Sequence, residues 1–299
     1  MYSGLVNLIS PEIIKVNEPM KDHTTFKIGG PVDVLVLPRN IDEIKLVLAC
    51  CRENKFPLLV FGQGSNILVR DKGIRGIAIK LGNNLKDIRI DGEEIYAQAG
   101  VRLSELARKA AAYSLSGLEF AEGIPGSLGG AVVMNAGAYD GEMMNVVLEV
   151  ETIKQSGESR IFPRDDIGFN YRTSKFQHSD FIIVGAKMRL TQGDSEEIKA
   201  KMREYAHNRK EKQPLEYPSA GSVFKRPPGF YVGPMVEQLG LKGLRIGGAE
   251  VSTKHAGFII NRGNAKADDV LELINRIQKA AQEKFAVNLQ PEIRVVGEK

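Results

Sequence analysis

Three short stretches of this sequence carry residue types that can act on an acidic substrate. Residues 217–228, Tyr-Pro-Ser-Ala-Gly-Ser-Val-Phe-Lys-Arg-Pro-Pro, set Ser222 behind a glycine and ahead of an apolar pair. A serine held on a rigid turn can donate a proton where neighbours stabilise the alkoxide; an ordinary turn serine fits the same pattern. Gly-x-Ser-x-Gly is absent, so this is not a hydrolase nucleophile elbow. Lys225 and Arg226 can meet phosphate, or sit solvated at the surface. Residues 169–176, Phe-Asn-Tyr-Arg-Thr-Ser-Lys-Phe, place Arg172 among aromatics, where it can fork onto a carboxylate or stack on a ring. Glu292 opens an otherwise apolar strand expected over 292–296, as a functional acid or as a strand-edge charge.

Two further stretches are rich in glycine and poor in charge. Residues 117–138 hold six glycines and a proline, with no charge after Glu122. Glycine lets the backbone take φ > 0 and approach a neighbour with no Cβ in the way. Successive backbone N–H groups in such a loop can receive phosphate. The segment Ile124–Gly130 is therefore either a bed for a cofactor pyrophosphate or a tight packing turn. Residues 60–69, Val-Phe-Gly-Gln-Gly-Ser-Asn-Ile-Leu-Val, read as strand, glycine turn, strand. The turn's N–H groups, the Ser65 hydroxyl and the Asn66 amide can donate to phosphate; a plain hairpin turn reads the same way. The third glycine of a Rossmann fingerprint is missing, as is the Gly-Lys-Ser/Thr of a P-loop. Together the two turns suggest a long cofactor with two phosphates, held from two sides.

The elements that must position these residues follow from periodicity. Asn40 and Glu43 form a capping-box pattern ahead of a helix to Asn54, with Ile44, Val47, Leu48 and Cys51 on one face. It lies between strands at 32–37 and 57–61, a β-α-β unit that implies parallel pairing. From about Gly73 the pattern changes to short strands, including 77–79, 88–90 and 95–97, with a hairpin at Asp91-Gly92. A helix over 103–113 follows, then strands at 146–154, 159–162 and 181–189. Asp194 precedes a helix to about Arg209, and residues 267–285 form an amphipathic helix with Asp268 and Asp269 in its first turn. The expected divisions are 1–72, an α/β lobe to which a final strand in 292–299 can return, an antiparallel-rich lobe over 73–192, a helix and linker over 193–216, and a last lobe over 217–291.

Composition narrows the classes. The chain has 299 residues, 42% hydrophobic and 26% charged, with net charge +4, as expected of a soluble globular protein. No apolar run approaches a membrane span, and the first residues lack the pattern of a signal peptide. Cys50 and Cys51 are adjacent and have no other cysteine to pair with, which suits a reducing cytoplasm. His23, His178, His207 and His255 are scattered, so no metal site is expected.

Seven motifs in order give a resemblance across residues 24–296. They are His-Thr-Thr-Phe-Lys-Ile-Gly-Gly-Pro at 23–31, Gly-Gln-Gly-Ser-Asn at 62–66, Gly-Ile-Pro-Gly-Ser-Leu-Gly-Gly-Ala at 123–131, Asn-Ala-Gly-Ala-Tyr at 135–139, Tyr-Arg-Thr-Ser at 171–174, Ser-Ala-Gly-Ser-Val-Phe-Lys at 219–225 and Gln-Pro-Glu at 290–292. The chain resembles the UDP-N-acetylenolpyruvoylglucosamine reductases, also called UDP-N-acetylmuramate dehydrogenases.

The resemblance implies an α+β protein: two lobes of the vanillyl-alcohol-oxidase type of FAD-binding fold, and a C-terminal α+β substrate lobe. It implies NADPH as hydride donor and UDP-N-acetylglucosamine enolpyruvate as substrate, in a cytoplasmic monomer of peptidoglycan synthesis that binds neither nucleic acid nor membrane. By motif, Ser222 is the proton donor, with Arg172 and Glu292 at the carboxyl end of the substrate. Gly62, Gln63, Gly64, Ser65, Asn66, Gly123, Ile124, Pro125, Gly126, Ser127, Gly129, Gly130, Asn135, Gly137 and Ala138 would hold FAD. Tyr171, Lys225 and Arg226 would contact substrate. No His or Cys occurs within 56–66 or 117–139, so FAD is expected to be non-covalent. Only fifty positions separate Arg172 from Ser222, which resembles the family's short form without a tyrosine-bearing lid. Arg226 stands where the long form carries asparagine. The alternatives are an oxidase of the same flavoprotein fold, a flavin- or nucleotide-binding protein without turnover, and a nucleic-acid binder resting on the basic cluster near Arg209.

Overall fold

The computed structural model describes Leu5 and residues 8–82 and 84–299. The chain forms two compact units. The first takes the described residues up to Val16, Val34–Gln63 and Gly76–Asn208; the second takes Asn17–Asp33, Gly64–Arg75 and Arg209–Lys299.

In the first unit, the helix Ile41–Asn54 starts as its sequence requires. The Asn40 side chain accepts from Glu43 N at 2.9 Å. The reciprocal half of the expected capping box is absent. Glu43 instead accepts from Arg39 N at 2.6 Å and from the Arg39 guanidinium at 2.6 and 2.9 Å. Ile44, Val47, Leu48 and Cys51 are buried, as periodicity predicts. Burying each large aliphatic side chain contributes roughly 1.5–3 kcal/mol.

The first sheet runs in the order Ile14–Pro19, Pro31–Val36, Ile74–Lys80, Leu58–Phe61. Leu58–Phe61 and Ile74–Lys80 pair in parallel, Leu58 opposite Ile77. Ile77–Ile79 thus lies in this sheet and not with the antiparallel strands that follow, where the pattern had suggested it. Its burial explains the placement: Ile77, Ala78 and Ile79 are all buried, so both faces are covered, the condition typical of a parallel strand.

The second sheet is antiparallel, in the order Ser159–Pro163, Val147–Lys154, Phe181–Arg189, Glu94–Gln98, Ile88–Asp91. Asp91 pairs with Glu94 across the Gly92 turn, as Asp-Gly predicts. The helices Leu103–Ala112 and Leu128–Val133 share the unit's buried core with both sheets. Asp194 caps the helix Ser195–Lys212, accepting from Glu196 N and Glu197 N at 2.9 Å each.

The second unit is built on the helix Ala267–Phe285, whose Val270, Leu273, Ile274, Ile277 and Ala281 are buried as expected. Two acids satisfy its first turn. Asp71 accepts from Ala267 N at 3.1 Å, and Asp269 accepts from Lys266 N at 2.9 Å. A small antiparallel sheet orders Arg245–Ile246, Ala249–Val251 and Ile259–Asn261. Ile67–Val69 pairs in parallel with Arg294–Val296. The final strand therefore begins at Arg294, and Glu292 precedes it where the sequence had suggested its first residue.

Candidate functional site

In the first unit the glycines act through close contact. Strand Leu58–Phe61 ends at Gly62, where an added Cβ would run into Ser127 Oγ. Ser127 is buried and bridges Arg102. Its neighbours lie along the chain that follows strand Glu94–Gln98. Leu128 N donates to Val101 O at 2.8 Å, and Gly129 N to Ala99 O at 2.9 Å. A Cβ on Gly129 would stand 2.9 Å from Ala99 Cβ. Gly126 has φ +143°, a conformation that favours glycine, and its carbonyl accepts from Leu103 N at 3.1 Å. The N–H groups of Ile124, Leu128 and Gly129 all have backbone acceptors. In the segment Ile124–Gly130, three N–H groups are thus engaged within the fold. Pro125 and Gly130 lie in the same run, on either side of Ser127.

Arg172 is also in the first unit. Asn170 and Thr173 exchange backbone hydrogen bonds at 3.0 and 3.1 Å, leaving Tyr171 and Arg172 at the tip of a tight turn. Arg172 has φ +53°. Its Nη2 donates to Gly137 O at 2.8 Å, and its guanidinium lies 5.1 Å from the Tyr171 ring centre. It is half-buried, with its guanidinium over the Tyr171 ring, the stacking that the aromatic setting suggested.

Asn135 organises the loop that presents Gly137 and Ala138. It is fully buried. Its Nδ2 donates to Glu142 Oε2 at 3.0 Å and to Asn170 O at 3.2 Å, and its Oδ1 accepts from Met144 N at 2.9 Å. The side chain thus joins the carbonyl-bearing loop to the arginine turn.

Ser222 and Glu292 are both in the second unit, on adjacent segments. Ser222 bridges Phe258, and Val223 N donates to Gly257 O at 2.9 Å. On the other side Glu292 N donates to Val223 O at 2.7 Å, and Lys225 N to Gln290 O at 2.9 Å. The Ser222 hydroxyl donates to Phe224 O at 3.3 Å, a long bond that leaves it easily redirected. Asn66 fixes Glu292 from the glycine turn: its Nδ2 donates to Glu292 O at 3.2 Å, and its own carbonyl accepts from Arg294 N at 2.9 Å. The turn is therefore not a plain hairpin, because its two flanking strands pair with different partners. Gly64, with φ +66°, and Ser65 also fall in this unit, whereas Gln63 ends a segment of the first. Arg226 is exposed, its guanidinium 3.8 Å from the Tyr231 ring centre.

Sequence reasoning set His255 aside as one of four scattered histidines. The structure puts it against the serine segment. Its Nδ1 accepts from Gly257 N at 3.1 Å, and burial lowers its pKa below the ordinary histidine value. The signal was the run Ser252-Thr-Lys-His255-Ala-Gly257 ahead of the apolar Phe258–Ile260, a turn held by its own side chains. Arg209 belongs to the basic cluster on which the nucleic-acid reading rests. It is buried, which removes it from any exposed basic surface.

Residues 213–296 match the C-terminal domain of UDP-N-acetylenolpyruvoylglucosamine reductase, and residues 32–162 match an FAD binding domain. The UDP-N-acetylenolpyruvoylglucosamine reductase of Syntrophomonas wolfei is 59% identical over 298 residues, 100% of each chain. The chain belongs to this family. A crystal structure of the reductase from Thermus caldophilus matches with TM-score 0.81 and 37% identity, covering 94% of this chain and 97% of that one. Phl p 4, a grass pollen allergen with glucose dehydrogenase activity, matches with TM-score 0.51 and 15% identity, covering 64% of this chain and 44% of that one. That likeness is one of fold. The α+β expectation and the vanillyl-alcohol-oxidase type of FAD-binding fold both hold.

Proposed function

We propose that this reductase uses NADPH to convert UDP-N-acetylglucosamine enolpyruvate into UDP-N-acetylmuramate, with Ser222 as the proton donor. Membership of the family carries the overall reaction. The observation that carries the role of Ser222 is its backbone mounting: Val223 is tied to Gly257 on one side and to Glu292 on the other, at 2.9 and 2.7 Å. A donor fixed from both sides meets the positional demand of proton transfer.

The residues present fit FAD. Gly126 holds φ +143° with no Cβ to stand between its backbone and a bound group, and residues 32–162 match an FAD binding domain. We assign its binding to Gly62–Asn66, Gly123–Ser127, Gly129, Gly130 and the Asn135–Ala138 loop. When bound, FAD supplies the hydride taken from NADPH to the methylene carbon of the enolpyruvyl group. Negative charge then builds on the neighbouring carbon and its carboxylate. Arg172 stabilises that charge. Glu292, carrying or sharing a proton, hydrogen-bonds to the enediolate. Ser222 gives its hydroxyl proton to the carbon: the O–H bond breaks, a C–H bond forms, and the alkoxide recovers a proton from solvent. Tyr171, Lys225 and Arg226 are assigned to the rest of the substrate.

We read the protein as a cytoplasmic monomer without nucleic-acid or membrane partners. Cys50 and Cys51 are buried free thiols, with Cys51 pushed up to about 12 by burial, which fits a reducing compartment. No helix among the described residues is long and apolar enough to cross a membrane.

An anaerobic absorbance experiment tests the reading. Flavin bands should bleach with NADPH and return on addition of the enolpyruvyl substrate. Return with oxygen but not with that substrate would favour an oxidase.

A further inference from the structure

Gly257 marks a point where three parts of the second unit meet. A methyl group built on it would stand 3.0 Å from His255 Cε1, 3.1 Å from His255 Nδ1 and 3.6 Å from Ser222 Oγ. The imidazole edge and the serine hydroxyl thus flank the same glycine. The ring is fixed there by its own hydrogen bond, Gly257 N donating to Nδ1 at 3.1 Å. It also packs edge-on against Phe258, with ring centres 5.0 Å apart.

The turn around this ring is held by its own hydrogen bonds. Buried Ser252 accepts through Oγ from Lys254 N at 3.1 Å and from His255 N at 3.2 Å. Phe258 N donates to His255 O, and Ser252 N to Phe258 O, both at 2.9 Å. The turn then hands its geometry to the serine through two links: Gly257 O accepts from Val223 N, and Phe258 bridges Ser222.

We propose that His255 is a positioning residue for Ser222, acting through the Gly257–Phe258 segment that it pins. The inference rests on the reading of Ser222 as proton donor. A backbone N–H left without its acceptor inside a turn shifts toward another partner. Here that shift moves the chain that aligns Val223 and its neighbour. The chemistry of the pin is narrow. It needs an acceptor at the position of Nδ1, which the Oδ1 of asparagine reproduces, since Asn side chains bond to the N–H two residues on.

The test uses the flavin-loaded enzyme and both half-reactions. His255→Leu removes the acceptor and keeps bulk. Reoxidation by the enolpyruvyl substrate should slow on the order of 10- to 100-fold, the scale of a small misplacement of a reacting group. Flavin content and reduction by NADPH should stay near wild type, and the solvent deuterium isotope effect on reoxidation should rise. His255→Asn should restore most of the rate. Gly257→Ala, which presses a methyl onto the ring, provides a second route to the same selective slowing if His255→Leu does not fold.

Normal reoxidation in either His255→Leu or Gly257→Ala overturns the proposal. So does His255→Asn that is as slow as His255→Leu. Ser222→Ala is measured alongside. If it leaves reoxidation intact, the proton-donor reading itself fails; if it slows reoxidation while the His255 variants do not, only the positioning role fails.

Discussion

Gly62 and Gly129 in the first unit matter for atoms they lack, whereas Ser222 and Glu292 in the second matter for atoms they carry. At Gly62 a single methyl group would collide with Ser127, and at Gly129 it would stand 2.9 Å from Ala99 Cβ. Around Ser222 the fold does the reverse. It surrounds a hydroxyl and a carboxyl with backbone ties at 2.7 and 2.9 Å, and leaves the hydroxyl itself in a long 3.3 Å bond. On the proposed reading, the first unit's glycines serve flavin binding and the second unit holds reactive side chains in place. The two should therefore fail in different ways: the first by losing flavin, the second by losing a step.

The largest effect should come from Ser222→Ala. Loss of a positioned acid typically removes about 10²- to 10⁴-fold of rate. Stopped-flow measurement should find this loss in reoxidation by the enolpyruvyl substrate, with reduction by NADPH nearly unchanged. Equal losses in both half-reactions would end the separation of roles. Glu292→Gln should give a smaller selective loss. Its backbone ties to Val223 and Asn66 do not involve the carboxyl, so they survive the change.

Gly62→Ala probes the other side of the comparison. Overpacking of a tight contact costs about 1–3 kcal/mol, so the variant should be purified with markedly less flavin. The flavin that remains should still be reduced and reoxidised at close to normal rates. A fully flavinated Gly62→Ala would break the comparison in the first unit. Asn135→Ala sharpens it further. Removing this buried amide takes a donor from Glu142 and the acceptor from Met144 N, while Asn170 O keeps its bond from Thr173 N. A typical hydrogen bond contributes about 0.5–1.5 kcal/mol net, so losing these bonds, with Glu142 and Met144 half-buried, should lower the thermal unfolding midpoint modestly.

How much of this was legible in the sequence depended on distance along the chain. The helix Ala267–Phe285 was readable to its ends, because five buried positions repeat at helical spacing and acids mark its start. Gly62 and Ser127 were each picked out as glycine-turn residues, but their contact joins segments far apart in sequence. The run 77–79 reads equally well in an antiparallel lobe, and only its parallel partner Leu58–Phe61 places it in the first sheet. The hold on Glu292 comes from Asn66, 226 positions away, which no local pattern can reveal. His255 escaped notice for a related reason. Its hydrogen bond to Gly257 is local, but its importance comes from Gly257 meeting Val223.

The smallest expected effect is Asn40→Ala, and it separates stability from both functional regions. Asn40 caps the helix Ile41–Asn54, and losing such a cap costs about 0.5–2 kcal/mol. The lower part of that range is expected here. Glu43 is already anchored by Arg39, through N at 2.6 Å and through the guanidinium, so the first turn keeps a second tether. Chemical denaturation should find a small shift in midpoint with an unchanged slope. Flavin content and both half-reactions should remain at wild-type values, since the cap touches neither the Gly62 turn nor the Ser222 segment. If flavin were lost instead, the Gly62 turn would depend on the helix that precedes its strand. Flavin retention would then be a property of the whole first unit and not of its glycine contacts.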